Sequence, residues 1–301
     1  MKLTIGLVGC GRWGSNHLRV LQALKSEARL HRVVVCDIDA KKLEAIEADA
    51  TYASLSQMLE NEELDGLAIV TPPDTHVALA REALASTLPL LVEKPLALDH
   101  ETAVDFLTNL TNNVLVVGYI LRHHRGLKHL RSPEGKAMLG EVMSVRYERQ
   151  TLRPCPRGAQ PISTLGVHAL DLIAWLLNRP LMSGKVLNRT ITSDTASVGL
   201  TFPNGKQGAF EVAWSASTER RLLHVEGTSG RATLDFGSGT ITMSNAGEEK
   251  TIQSTGSEPL LEEWNHFLNH LNTPEQHVYP PIERLVDQSA WLRTYGVEDS
   301  V

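Results

Sequence analysis

Ile5-Gly6-Leu7-Val8-Gly9-Cys10-Gly11-Arg12-Trp13-Gly14 is the stretch from which the fold is read. Its first half is a short apolar run of the kind buried in a parallel strand. Its second half spells G-x-G-x-x-G and opens Ser15-Asn16-His17-Leu18-Arg19-Val20-Leu21-Gln22-Ala23-Leu24, which reads as a helix. Each glycine has a physical task in a dinucleotide turn. Gly9 permits the tight turn off the strand, Gly11 lets the backbone approach a pyrophosphate without a Cβ between, and Gly14 lets the helix pack close on the strand. The free amides and positive dipole end of that helix then face the phosphates. Glycine-rich turns are common, so the pattern alone is weak. Here it also follows a strand, opens a helix, and precedes Arg32-Val33-Val34-Val35-Cys36-Asp37, a second strand ending in an acid at roughly the 20-residue distance such folds use.

Asp37 bears on which dinucleotide fits. A carboxylate at the tip of the second strand accepts hydrogen bonds from adenosine ribose hydroxyls and repels a 2′-phosphate, which favours NAD over NADP. Arg12 is the counterweight, since a guanidinium there can receive such a phosphate. Asp39, ahead of Ala40-Lys41-Lys42-Leu43, reads as a helix N-cap.

At 301 residues the chain is long enough for two domains with their own cores, and 42% apolar with 21% charged residues is the composition of a soluble globular protein. The net charge of −6 and the lack of a basic run interleaved with aromatics argue against nucleic acid as a partner. Cys10, Cys36 and Cys155 are widely spaced with no C-x-x-C pair, which points to a reducing, cytoplasmic compartment and to no cysteine metal site; no metal site of any kind is read from the sequence. Met1-Lys2-Leu3 leads straight into the first strand, so the short apolar run after it is not read as a signal peptide. No apolar run approaches the roughly 18 residues of a membrane span. Asn188-Arg189-Thr190 fits a glycosylation acceptor, a coincidence in a cytoplasmic chain.

Residues 1–118 alternate strand and helix. Leu67-Ala68-Ile69-Val70, Leu90-Leu91-Val92 and Val114-Leu115-Val116-Val117 are apolar runs without polar alternation, which suit strands covered on both faces of a doubly wound parallel sheet. Ligands bind beyond the carboxyl ends of such strands. Thr71-Pro72-Pro73-Asp74-Thr75-His76 follows one strand directly: its prolines make a rigid turn, and Asp74 or Thr75 is placed to cap the helix that begins near Val77. Glu93-Lys94-Pro95 follows another, and on spacing alone it reads as a solvated loop salt pair.

From residue 119 the period changes to two. Met143, Val145 and Tyr147 alternate with Ser144, Arg146 and Glu148, and the alternation returns around Val198, Leu200 and Phe202, around Phe210, Val212 and Trp214, and at Leu223 and Val225. Pro203-Asn204-Gly205-Lys206 and Thr228-Ser229-Gly230-Arg231 carry hairpin turn chemistry. Residues 119–301 therefore read as a second, α+β domain with a predominantly antiparallel sheet whose open face suits a homodimer or homotetramer contact. One helix, about Thr164 to Leu177, is set into it, with Thr164, His168 and Asp171 along one side. Local sequence alone makes His168 a packing residue. Two amphipathic helices close the chain, one carrying Leu261, Trp264, Leu268 and Leu271 and one opening after Pro280-Pro281.

Taken in order, Gly9-Cys10-Gly11-Arg12-Trp13-Gly14, Asp37, Thr71 to His76, Glu93-Lys94-Pro95, Gly118-Tyr119, Gly140-Glu141-Val142 and Leu165-Gly166-Val167-His168-Ala169-Leu170-Asp171 resemble the Gfo/Idh/MocA oxidoreductases over nearly the whole chain. The resemblance implies an NAD(P)-dependent dehydrogenase acting on a sugar, nucleotide-sugar or cyclic polyol, with its site between the two domains. It assigns Gly9, Gly11, Arg12, Trp13, Gly14, Asp37, Thr71, Pro72, His76, Glu93 and Lys94 to the cofactor, and Lys94, Tyr119, Arg122, Arg157, Thr164 and His168 to the substrate. It makes Lys94 and His168 catalytic, reversing the reading of Lys94 as a solvated lysine. Oxidising a secondary alcohol needs a proton acceptor and a charge that favours the alkoxide; either residue can move the proton.

One position departs from the family pattern. Thr164 stands where many members carry an aspartate four residues before the histidine, which puts the substrate contact, or turnover itself, in question; Asp171 either compensates from the same side or is a helix-surface residue. Arg122, Arg153 and Arg157 read either as receptors for a phosphate or carboxylate on the substrate or as solvated cations. Two alternatives accompany the dehydrogenase: an NAD-binding regulatory or sensor protein with little turnover, and a reductase of a conjugated non-sugar substrate resembling biliverdin reductase.

Overall fold

Strands buried on both faces and strands that alternate in burial fall into two different sheets in this chain, except for short edge strands such as the half-buried His277–Tyr279. The computed structural model describes residues 3–110, 113–254, 256–272 and 275–297. It forms two compact units, Met1–Gly118 with Leu260–Leu285, and Tyr119–Pro259 with Val286–Val301.

The first unit runs β1 (Thr4–Val8), α1 (Arg12–Ser26), β2 (Arg32–Cys36), α2 (Ala40–Glu44), β3 (Ala50–Tyr52), α3 (Leu55–Asn61), β4 (Gly66–Ile69), α4 (His76–Leu84), β5 (Leu90–Glu93), α5 (His100–Thr108) and β6 (Val114–Gly118). Ile5, Leu7, Val34, Val35, Leu67, Ala68, Ile69, Leu90, Leu91, Val92, Leu115, Val116 and Val117 have no exposed surface, as strands covered on both faces require. Every described pair in this sheet is parallel. β1 lies between β2 and β4, so the strand order reverses beside it, where a crevice opens at the carboxyl ends. Asp39 caps α2, accepting from the Lys41 amide at 3.1 Å. The cap expected for α4 is absent: Pro73–Thr75 form a 3-10 turn, and the Thr75 hydroxyl is held by Pro72 O and Thr71 Oγ1 at 2.7 Å each.

The expected second domain, 119–301, is interrupted by the return of Leu260–Leu285 to the first unit. α9 (Pro259–His270) buries Trp264 and Phe267 completely. Gly66 makes room for this layer: a Cβ there would stand 3.0 Å from Leu271 and 3.1 Å from Phe267. β15 (His277–Tyr279) then pairs with β6 in the register His277↔Val114 and becomes an edge of the parallel sheet.

The second unit contains α6 (Arg125–Leu130), α7 (Pro133–Leu139), β7 (Val142–Gln150), α8 (Val167–Leu177), β8 (Lys185–Ile191), β9 (Thr195–Thr201), β10 (Gln207–Ala213), β11 (Arg220–Gly227), β12 (Gly230–Asp235), β13 (Thr240–Asn245), β14 (Glu248–Gln253) and, from Val286, most of α10 (Ile282–Tyr295). Its sheet has the order β14-β13-β12-β11-β7-β10-β9-β8, antiparallel except for the parallel pair of β7 and β10. Alternate residues face one core: Val145, Tyr147, Val198, Leu200, Phe210, Val212, Leu223 and Val225 pack with Leu170, Ile173 and Leu177 of α8. The other face stays polar, with Arg146, Glu148, Glu211 and Arg220 in ion pairs along it. The β9–β10 turn places Asn204 (φ 65°) and Gly205 (φ 72°) in left-handed backbone, which matches the twist of a tight hairpin. Among the described residues no helix is long and apolar enough to cross a membrane.

Candidate active site

The glycine turn is built as its sequence requires. Gly9 has φ +95°, and a Cβ there would stand 2.5 Å from Val70 O. A Cβ on Gly14 would come within 2.0 Å of Gly9 O, so the start of α1 sits directly on the end of β1. A Cβ on Gly11 would meet nothing within 4 Å. The protein thus leaves room on the outer side of the turn, at the start of α1, where no side chain caps the helix. Open space against uncapped amides is what a pyrophosphate needs, so these residues fit a dinucleotide.

Asp37 is buried at the end of β2. Its carboxylate accepts from Cys10 N at 2.7 Å and Asp39 N at 2.9 Å, with Lys42 Nζ at 3.5 Å. Burial pushes this carboxyl up, but the two amides and the Lys42 charge outweigh burial and hold it below the usual range. Asp37 therefore ties β2 to the glycine turn, and a carboxylate's roughly four lone-pair sites leave acceptor capacity for ribose hydroxyls. Arg12 is exposed at the first position of α1. The neighbouring Cys10 and Cys36 thiols are pushed up by burial, to about 12 and about 11, which keeps them unreactive.

Glu93 and Trp13, both expected at the cofactor, are bonded to each other beside Lys94. The Glu93 carboxylate is buried and accepts from Trp13 Nε1 at 2.5 Å, His17 Nε2 at 3.2 Å and Lys94 N at 3.1 Å. Gly118 clears its space, since a Cβ there would stand 2.9 Å from Glu93 Oε1. Burial raises this carboxyl, while the His17 contact, the Lys94 charge and the indole N–H bring it below its ordinary value. Trp13, His17 and Trp264 stack edge to face in sequence, each 5.8 Å from the next. Glu263 completes the cluster, its carboxylate within 4.8 Å of the His17 and Glu93 ligand atoms. Lys94 itself is half-buried at the end of β5, its ammonium pKa lowered by burial and partly restored by Glu93.

His76, also expected at the cofactor, is a strap. Its ring is buried between Pro95 O and Thr71 O, 2.9 Å from each, and holds the loop after β4 to the loop after β5. Half-buried Thr71 and exposed Pro72 form the rim of that strap.

The remaining expected residues lie in the second unit. Tyr119 is buried, bonded through its hydroxyl to Gln288, which in turn donates to Val167 O at 2.7 Å; the pair anchors the start of α8. Arg122 is also buried, with Nε and Nη2 on the two Asp171 oxygens at 2.7–3.0 Å and its guanidinium over Trp175 at 4.9 Å. That ion pair absorbs both the anion receptor expected at Arg122 and the compensation considered for Asp171. Thr164 donates to Gln160 O at 2.7 Å and accepts from Trp214 Nε1 at 3.1 Å. It lies in a π-helical turn, Ile162–Gly166, where an α-helix was expected from Thr164 onward. Such turns recur at functional sites. His168 follows in the first turn of α8, half-buried, while Arg157 is exposed in the loop beyond β7.

His17, Glu263, Trp264 and Gln288 had not been singled out for the site. Nothing near them in the chain marks them: Glu263 meets Glu93, and Trp264 meets His17, only because α9 returns to the first unit.

A glycine turn open to phosphates, an acid at the tip of β2 and a buttressed lysine at the end of β5 define a Rossmann-type dinucleotide-binding unit joined to an α+β unit. Residues 3–120 match the oxidoreductase family with NAD-binding Rossmann fold, and residues 136–233 match the GFO/IDH/MocA C-terminal domain. The chain belongs to the Gfo/Idh/MocA oxidoreductase family. It is 24% identical to the inositol 2-dehydrogenase/D-chiro-inositol 3-dehydrogenase of Lacticaseibacillus casei, over 97% of this chain and 88% of that protein. It is 27% identical to inositol 2-dehydrogenase 1 of Saccharopolyspora erythraea, over 67% of this chain but only 62% of that protein's length. Levoglucosan dehydrogenase, solved with NADH and levoglucosan, shares the fold with a TM-score of 0.84 at 16% identity, over 98% of this chain and 96% of that one.

Proposed function

We propose that this chain is an NAD-dependent dehydrogenase that interconverts a secondary alcohol and a ketone on a sugar, nucleotide-sugar or cyclic polyol. The observation that carries the proposal is Lys94, placed at the end of β5 with its backbone amide on a buried carboxylate, Glu93, that α1 fixes in place and whose charge favours the ammonium. NAD, when bound, supplies the hydride acceptor and, as NADH, the donor. The open side of Gly11 and the first amides of α1 take the pyrophosphate, with Arg12 beside them. Asp37 takes ribose hydroxyls and disfavours a 2′-phosphate, which makes NADP the weaker cofactor.

Lys94 has two tasks available in the alcohol direction. As an ammonium near the hydroxyl oxygen it favours the alkoxide. Burial has also moved its pKa toward the range in which a neutral amine takes the proton. His168, at the start of α8, is assigned to the substrate as the partner that orients the hydroxyl or exchanges its proton with solvent. Thr164 and Tyr119 support the π-helical turn and helix that carry it. Arg153 and Arg157, both exposed, are the cations assigned to meet an anionic substituent on the substrate. The buried thiols Cys10 and Cys36 suit the cytoplasm, and the polar open face of the second sheet is the surface assigned to a homo-oligomer, readable by light scattering.

Absorbance of NADH in the presence of sugars, inositols, sugar phosphates and nucleotide-sugars tests the reading. Turnover is expected with one class and NAD, and Lys94→Ala or His168→Ala is expected to lower kcat by about 10²- to 10⁴-fold, the range of lost general acid–base catalysis. Unchanged kcat in both variants would sink the assignment.

A further inference from the structure

Away from the nucleotide turn, the first unit carries a second cluster of side chains with ligand chemistry. His266 and His270 lie four residues apart on α9, which puts them on one face of the helix, and β15 brings His277 beside them. One nitrogen from each ring lies within 4.8 Å of the others, and all three residues are half-buried, within reach of solvent.

The geometry is close to that of a metal site. His266 Nε2 and His277 Nε2 are 3.2 Å apart. Tetrahedral zinc with bonds of about 2.0–2.1 Å places neighbouring ligand nitrogens roughly 3.3 Å apart, so these two atoms already span one edge of such a site. His270 donates its Nδ1 hydrogen to His266 O at 2.7 Å, which leaves the lone pair on Nε2. A hydrogen bond to the second ring nitrogen is how ligating histidines are commonly held in one tautomer. The His270 and His277 rings are stacked, 3.7 Å between centroids and 10° between planes. They reach a common ion by opening that stack about χ2, a torsion with a broad well. A ligand set of imidazoles selects a borderline ion such as Zn²⁺, Ni²⁺ or Cu²⁺ over Mg²⁺ or Ca²⁺.

We propose that His266, His270 and His277 bind one divalent transition-metal ion, for which zinc is the reference, with water as the fourth ligand. The ion ties α9 to β15, a three-residue edge strand of the parallel sheet. Its effect is therefore on the stability of the first unit, independent of the hydride chemistry.

The test titrates the full chain with zinc chloride by calorimetry, follows thermal unfolding with and without zinc, and records the visible spectrum with Co²⁺. One zinc per chain, a higher Tm with zinc and the intense absorption of four-coordinate cobalt are expected. His266→Ala and His277→Ala should each weaken zinc binding by at least the ~10- to 100-fold that loss of even an outer-shell partner costs. Circular dichroism checks that each variant is folded; His277→Gln replaces any that is not. The proposal is overturned if the wild-type chain takes up no zinc, if both variants bind it as tightly as wild type, or if cobalt gives the pale spectrum of a six-coordinate ion.

Discussion

Glu263 offers the sharpest test of how the nucleotide unit is wired. It has no exposed surface, neither carboxylate oxygen has a hydrogen-bond partner among the described residues, and burial together with the nearby Glu93 charge raises its pKa well above 4.5. The folded chain therefore keeps a proton that the unfolded chain releases above 4.5. A group of this kind contributes its full stability below the unfolded pKa and loses it as pH rises toward the folded one. The slope for one proton is about 1.4 kcal/mol per pH unit, tenfold in the folding constant. Glu263→Gln keeps the shape, ends the proton linkage and supplies an amide N–H that can face Glu93. Urea unfolding of both proteins at a series of pH values above 4.5, at one ionic strength, should show the variant's advantage growing as pH rises, by at most about 1.4 kcal/mol per unit. An advantage that stays constant, or that shrinks as pH rises, refutes a buried protonated acid at this position.

Four further outcomes follow from the same geometry. Glu93→Gln removes the charge that lifts the Lys94 ammonium against its burial, so the Lys94 limb of the kcat/KM profile should move to lower pH; movement upward or none contradicts the pairing. Gly14→Ala should destabilise by about 3 kcal/mol because its Cβ meets Gly9 O at 2.0 Å. Gly11→Ala, with open space at its Cβ, should keep its Tm and lose NADH affinity; fluorescence titration separates the two effects. Arg122→Ala leaves Asp171 buried and unpaired and should lower stability by about 3–5 kcal/mol, while Arg122→Met with Asp171→Leu should recover most of that loss. Equal destabilisation in the single and double variants would mean that the pair acts through something other than charge.

Features of the candidate site that depend on backbone are marked in the sequence. Gly9, Gly11 and Gly14 act through the absence of a side chain, and Asp37 through its place at the end of an apolar run, so each is marked by local pattern. Residues whose task depends on a partner are not. His76 reads as a cofactor contact in the sequence, and its bonds that strap Thr71 to Pro95 are visible only in the fold. Arg122 looked like an anion receptor and instead neutralises Asp171, 49 residues away in the chain. Thr164 looked like a substrate contact; its hydroxyl holds the π-helical turn to Trp214. A side chain's chemistry states what it can bind, and only its neighbours decide what it has already bound.

The sequence by itself determined the two kinds of sheet, the dinucleotide turn and the acid at the tip of β2. Those features are written in hydrophobic period and in glycine spacing, which act over a few residues. Tertiary structure alone decided that α9 and β15 return to the first unit, and with them the buried carboxyl of Glu263 and the histidines at 266, 270 and 277. An amphipathic helix carries the same apolar stripe whichever sheet it covers. What selects the sheet is the fit of Phe267 and Leu271 over the space at Gly66, together with the edge that β6 leaves open to β15.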